Sequence, residues 1–148
     1  METVRKYDLE DRLVKFVILA LDVCDLLPNS KTGQNLEYQL SKSGTAPALM
    51  YGEVQGAGSR ADFLHKMKIL LKELRESRIN LRIINKKPIV IHDKVKITLQ
   101  ECNELIGIFT KKHSNGQKQQ GLAVLHFSFF ILHFSFHDPF PPCGRFNK

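Results

Sequence analysis

The chain contains 148 residues, of which 43% are hydrophobic and 25% charged, as is ordinary for one globular domain with a real core. Its first dozen residues alternate charged and apolar side chains too closely for a secretory signal, and no run reaches the roughly 18 uninterrupted apolar residues of a spanning helix. We therefore expect a cytoplasmic protein. The three cysteines lack metal-binding spacing, and Cys24 and Cys102 are expected to be small core residues.

The formal net charge of +7 is concentrated in one segment. Between Arg60 and Lys87 there are nine basic residues and three acidic ones. Concentrated positive charge attracts nucleic acid, acidic protein surfaces or anionic membranes, and it equally serves solubility. The charge therefore narrows the class of partner without selecting one.

The first predicted helix carries an apolar stripe whose members alternate at spacings of four and three. These are Leu9, Leu13, Phe16, Ala20, Val23 and Leu27. Five further apolar residues widen the stripe: Val14, Val17, Ile18, Leu19 and Leu21. A stripe of this width predicts that the helix packs inside a bundle and again against another subunit. Pro28 marks its end.

The second predicted helix begins near Thr32 and has small residues beside its apolar face. The face consists of Leu36, Leu40, Ser43, Pro47, Met50 and Val54. Because Pro47 removes a backbone donor and crowds the preceding turn, we expect a kink or a short break around residues 43 to 47. The small residues permit a neighbouring helix to approach closely.

The third predicted helix begins at a sequence that resembles a capping box, with Ser59 followed by Asp62, and it ends near Pro88. Arg78 interrupts its apolar stripe, which consists of Leu64, Met67, Leu71, Leu74, Leu81 and Ile84. Two ion pairs are expected at i, i+4 spacing, Asp62 with Lys66 and Lys72 with Glu76.

The fourth predicted helix begins near His92 or Asp93 and ends by Lys112, with Glu101 and Glu104 turned outward. Its stripe consists of Val95, Leu99, Cys102, Ile106 and Phe109. Four amphipathic helices with short connections favour antiparallel neighbours. The predicted fold is all-α, an antiparallel up-down-up-down four-helix bundle over residues 1–112, with an irregular C-terminal tail.

An ordered series of residues resembles a known family. The series contains Ser43, Gly44, Thr45, Ala46, Pro47, Glu53, Ser59, Asp62, Phe63, Lys68, Ile69, Leu74, Arg75 and Glu76. It is similar to the four-helix bundle proteins encoded in intervening sequences of bacterial 23S ribosomal RNA genes, over about residues 7–112. Relatives often have an asparagine in an Ala-Asn-Ile-Ala-Glu stretch, whereas residues 48–53 here read ALMYGE.

The resemblance implies an up-down-up-down bundle that assembles as a ring, typically a homopentamer. It also implies a distant similarity to the accessory proteins of diversity-generating retroelements, which bind nucleic acid and a reverse transcriptase. Membership of such a family fixes the fold better than the function.

The composition changes beyond Lys112. A polar stretch over residues 113–121 is followed by an apolar segment in which Leu125–Phe129 recurs word for word as Leu132–Phe136. We interpret residues 113–148 as a low-complexity extension, either disordered or genetically accidental, and a membrane-associating or oligomer-docking segment is the alternative. His133 and His137 lack the further ligands and the geometry that a zinc site requires, so no metal is predicted.

The candidate functional residues form a basic row on one face of the third helix. They are Lys68, Lys72, Arg75, Arg82 and Lys86, and Ile79 interrupts them where another member is expected. Repeated in an oligomer, such a row could bind RNA or DNA phosphates with little sequence preference. A row of this kind is also what a solvated helix face looks like, in which case the protein is a structural or protein-interaction module.

No catalytic residues, cofactor or small-molecule substrate are predicted, so we do not expect an enzyme. Glu53 and Glu73 lack the histidine at i+3 that di-iron bundles place beside their glutamates, and pairing with Arg75 or Arg60, or hydrogen bonding across a helix interface, is expected instead. His65 has no nucleophile arranged beside it.

Overall fold

The computed structural model describes the backbone of residues 8–134 and the side chains of residues 8–118. Four helices make up this part of the chain: α1 (Leu9–Asp25), α2 (Lys31–Gln55), α3 (Arg60–Lys86) and α4 (Asp93–Phe134). The described range contains no strand. The predicted all-α class and the four-helix bundle are confirmed.

The starts of the first three helices are set by short polar side chains that accept hydrogen bonds from orphan backbone N–H groups. Asp8 caps α1, and Ser30 accepts from the Gly33 N–H of α2. Ser59 accepts from the Asp62 N–H at 3.1 Å, as the predicted capping box requires. The reciprocal bond runs from the Gly58 N–H to the Asp62 carboxylate at 3.2 Å, one residue earlier than in the standard motif.

The four helices pack in antiparallel order around one core, with α1 in contact with α2 and α4, and α3 in contact with the same two helices. The predicted stripes supply this core, which includes Leu13, Phe16, Leu40, Leu74 and Phe109, all fully buried. Burial of apolar side chains at this spacing is the main stabilising contribution to such a bundle. Helices α1 and α3 therefore lie diagonally, on opposite sides of the molecule.

The proline in α2 does not interrupt the helix. Of the two forms that we expected, a kink or a break, the break is absent because residues 31–55 are helical throughout. Hydroxyl groups of the preceding turn donate back to carbonyls one turn earlier, from Ser43 to Gln39 and from Thr45 to Ser41. Pro47 and Ser43 are both buried in the bundle. Packing against the other helices therefore stabilises α2 at the turn where Pro47 removes a backbone hydrogen bond.

The predicted end of the last helix near Lys112 is wrong, because α4 continues to Phe134. Gly116 is buried so tightly that an added Cβ would lie 2.7 Å from Leu64 Cδ2, and its carbonyl accepts from Arg60 Nε at 3.4 Å. Packing on α3 thus extends at least to Gly116. Polar residues lacking apolar periodicity do not end a helix that is already formed, since propagation needs no core face.

The division between a bundle and an extension stays a prediction. The side chains of the repeated apolar segment and of His133 and His137, like everything beyond Phe134, lie outside the described residues. No helix in the described part of the chain is long and apolar enough to cross a membrane.

Candidate nucleic-acid interface

The basic row is positioned by the burial of the opposite side of α3. Leu70, Leu74 and Leu81 are fully buried against the other helices, so the residues that lie between them in helical rotation face outward. All five predicted site residues, Lys68, Lys72, Arg75, Arg82 and Lys86, are exposed on this outer face. The five cations therefore lie on one exposed face of α3.

Two adjoining surface depressions divide the row into two parts. Lys68, Lys72 and Arg75 line the first, together with Gln39 of α2. Arg82 and Lys86 line the second. The side chain that both depressions share is Ile79, the residue that interrupts the row. Ile79 therefore separates the five cations into two groups, and the row is not one continuous basic stripe.

Most of the charge in this row is not neutralised by the side chains that the structure describes. Lys72 is the exception, with its Nζ 3.4 Å from a Glu76 carboxylate oxygen and 3.9 Å from one of Glu73. Among the residues whose side chains are described, no carboxylate forms an ion pair with the other four members. These four cations are available to an external anion.

Arg78 lies beside the row on the side of α3 that faces α4, and it is half-buried. Its Nε is enclosed and has no hydrogen-bond partner among the described residues. The Cys102 thiol lies close enough for the guanidinium charge to act on it. Arg78 therefore belongs to the α3–α4 packing and not to the exposed row.

Helix α4 adds a cation that the sequence did not single out. Lys96 is exposed on α4 and shares a depression with Asn85, at the end of α3 where Lys86 lies. Asp93 lies three residues before Lys96 and lines the same depression, whereas Asn103 and Thr110, which follow Lys96 at heptad spacing, are uncharged. Sequence spacing could have identified Lys96 as a surface cation, but only the packing of α4 on α3 places it beside the end of α3.

Two carboxylates of α4, Glu101 and Glu104, face α1. Glu101 accepts from Arg12 Nε at 2.6 Å, and Glu104 also accepts from Arg12. The hydrogen bond to Glu101, followed by the charges of both carboxylates, raises the pKa of Arg12 above its ordinary value. The predicted outward position of Glu104 is confirmed because its side chain is exposed, whereas Glu101 is only partly exposed because Arg12 reaches across to it from the neighbouring helix.

The acidic residues considered as metal ligands do not come together. Glu53 is exposed, and Glu73 lies near Lys72 rather than Arg75. Across the described side chains, no group of three or more histidine, cysteine, aspartate or glutamate residues could hold a metal ion. His65 is exposed and lines the first depression beside Lys68. The arrangement of exposed cations can attract anions.

Comparison with solved structures supports the fold. A protein of unknown function from the S23 ribosomal protein family of Bacteroides thetaiotaomicron VPI-5482 superposes with a TM-score of 0.65 at 22% identity, covering 71% of this chain and 97% of that chain. A likeness at this level of identity establishes the fold alone. No family model matches the sequence, and no curated protein matches it.

Proposed function

We propose that this protein is a non-enzymatic, self-associating bundle that binds nucleic acid through the basic outer face of α3. The observation that carries the proposal is the row of five exposed cations on one helix face, four of them without a carboxylate partner among the described residues. Phosphates release condensed counterions when such cations neutralise them, which favours binding without sequence preference. The row contains no aromatic side chain for base stacking, so duplex and single-stranded ligands should bind by charge alone.

We also propose that the chain belongs to the intervening-sequence bundle family. The series from Ser43 to Glu76 and the fold shared with the S23-family protein support this. The resemblance to this family further implies that the chain assembles as a ring, typically a homopentamer. Apolar side chains on the outer surface of α1, from Val14, Ile18 and Leu21, support self-association because water contact with them is unfavourable. The proposed setting is the cytoplasm.

The test is a titration of the full chain against labelled RNA and DNA duplexes, followed by fluorescence anisotropy at low and near-physiological salt. In the K68E/K72E/R75E variant we expect binding to weaken by at least about tenfold and the salt dependence to fall by about one unit of slope for each lost phosphate contact. Helicity and assembled mass should be unchanged, because all three side chains are exposed.

A matched control keeps the same change in net charge but moves it off the row. The K31E/K42E/K111E variant alters three exposed lysines on α2 and α4. It should keep most of the affinity. Equal losses in both variants would mean that total charge and not the α3 face drives binding, and undiminished binding by the first variant would rule out the face altogether.

A protein-interaction module without a nucleic-acid role is the second candidate. The exposed apolar residues of α1 favour it specifically, since phosphate binding does not require them. Absence of any binding to RNA or DNA at low salt, together with a stable oligomer, would select this candidate.

A further inference from the structure

Charge is segregated between opposite sides of the bundle. Helix α1 contains four carboxylates and two basic side chains, whereas α3 contains eight basic side chains and three carboxylates. The two helices do not contact each other and lie diagonally across the bundle. One copy of the chain therefore presents an acidic helix on one side and a basic helix on the other.

The outer face of α1 has an apolar centre beside an acidic end. Val14, Ile18 and Leu21 follow each other at spacings of four and three and are 47%, 54% and 39% exposed. Asp25, the next residue in this row, is exposed and forms no ion pair with the described residues. It is also the last residue of α1, where the helix dipole disfavours a negative charge, and the last turn contains no basic residue.

The C-terminal half of α3 has the matching composition. Ile79 and Ile83 are 47% and 43% exposed, one turn apart. Arg82, Lys86 and Lys87 line the same depression as these two isoleucines. This patch, which we call the α3 docking patch, has an apolar centre and a basic rim.

We propose that the outer face of α1 from a second copy of this chain docks on the α3 docking patch. Ile18 and Leu21 would pack on Ile79 and Ile83, and the carboxylate of Asp25 would approach Arg82 and Lys86. The proposal rests on the self-association proposed above and names the surface that receives α1. Burial of the apolar centre supplies the attraction, and the opposite charges at its edge fix the partner and the register.

A second copy fits better than a pairing of like faces. Two α1 faces placed together would bring carboxylates against carboxylates, and two α3 patches would bring cations against cations. Because the two complementary faces are different, the contact is heterologous, and repeating it produces a closed ring or an open filament. Docking would cover Arg82 and Lys86, so Lys68, Lys72 and Arg75, which line the other depression, are the members of the row left for phosphates.

The test is a charge exchange measured by light scattering of the full chain after gel filtration. We expect D25K and R82E each to reduce the assembled mass toward that of a monomer at concentrations where the unchanged protein is oligomeric. The D25K/R82E double variant should recover the assembled mass, because it restores opposite charges at every copy of the contact. Circular dichroism should show unchanged helicity throughout.

Matched controls are E37K and K42E, which make the same charge changes at exposed positions of α2 and should leave the mass unaltered. Loss of assembly in D25K but not in R82E would overturn the α3 docking patch. Failure of the double variant to recover would overturn the direct pairing, and a monomeric unchanged protein would overturn self-association itself. Nucleic-acid binding by K68E/K72E/R75E is measured independently, so either proposal can fail alone.

Discussion

Two antiparallel helix contacts in this bundle, the α2–α3 seam and the α1–α4 seam, are held by different chemistry. In the α2–α3 seam, Ser77 Oγ donates to Ser43 Oγ at 3.0 Å, and both residues are buried. In the α1–α4 seam, Arg12 binds two carboxylates of α4, and Lys94 Nζ lies 2.7 Å from an Asp22 carboxylate oxygen at a partly exposed rim. A buried hydroxyl also bonds across the α1–α4 seam, from Thr98 Oγ1 to the Leu19 carbonyl at 3.4 Å, but among the described side chains only this seam adds ion pairs between helices.

The contrast indicates which helix is held less firmly. Exposed ion pairs contribute little to stability because water and salt screen them, whereas a well-packed seam resists every change of volume. Helix α1 is therefore held in the bundle mainly by burial of its apolar stripe. The ion pairs at the rim mainly fix its orientation. It is also the helix whose outer face is apolar, so docking of another copy on that face would hold it from both sides.

The largest expected effect is a difference in cysteine reactivity between the two parts of the bundle. Burial raises the pKa of Cys24 on α1 to about 11 and that of Cys102 between α3 and α4 to about 12, from an ordinary 9.0. At pH 8 the thiolate fractions should be about 100-fold and about 1,000-fold below that of an exposed thiol, so labelling should be slow and should rise with pH.

We expect Cys24 to be labelled about tenfold faster than Cys102 in a C143S background, since its thiolate is more accessible and α1 is the helix held less firmly. Mass spectrometry after timed labelling would measure both rates in one sample. Identical rates for the two thiols would mean that the bundle opens only as a whole, and the distinction between the seams would then have no dynamic consequence.

A smaller effect is expected from overfilling the α2–α3 seam. Ser77→Leu inserts a larger side chain at a fully buried position opposite Ser43 and should reduce the free energy of unfolding by about 1–3 kcal/mol. Urea denaturation followed by circular dichroism measures it. The same residue introduced on the exposed side of α3, His65→Leu, should change the free energy by less than about 0.5 kcal/mol. Equal free energies of unfolding for the two variants would show that the α2–α3 seam can accommodate the larger side chain.

The smallest effect is expected from breaking the α1–α4 seam. Arg12→Met keeps much of the side-chain length and removes hydrogen bonds to both Glu101 and Glu104, which should cost about 1 kcal/mol in the free energy of unfolding. Labelling of Cys24 should accelerate while that of Cys102 does not. Lys15→Met, an exposed lysine on the same helix, is the control. A loss as large as that of Ser77→Leu would contradict the ranking of the two seams.

Much of the fold could be predicted because it follows from local periodicity. The three-and-four spacing of Leu13, Phe16 and Ala20 describes one side of a helix whatever surrounds it, and these residues are buried. The capping serine at 59 and the exposed row on α3 follow for the same reason, since both depend on neighbours within two turns. The continuation of α4 past Lys112 could not be predicted in this way, because the apolar spacing ends there while the helix continues to Phe134.

Only part of the candidate site could be predicted from the sequence. Its cations could be counted along α3, but their division by Ile79 into two surface depressions depends on how the side chains lie over the surface. The placement of Lys96 near Lys86 needed the antiparallel packing of α3 and α4. The pairing of Glu101 with Arg12, which is 89 residues away along the chain, also depended on how the helices pack.

The sequence by itself determined four amphipathic helices, the Ser59 cap of α3 and a chain that concentrates its positive charge in one helix, because each of these depends on residues close together in the chain. Only the tertiary structure decided that the acidic helix and the basic helix lie on opposite sides of the bundle, and that Val14, Ile18 and Leu21 are left outside the core. Those outcomes depend on which helix packs against which, and the choice is made by contacts between residues that are distant in sequence.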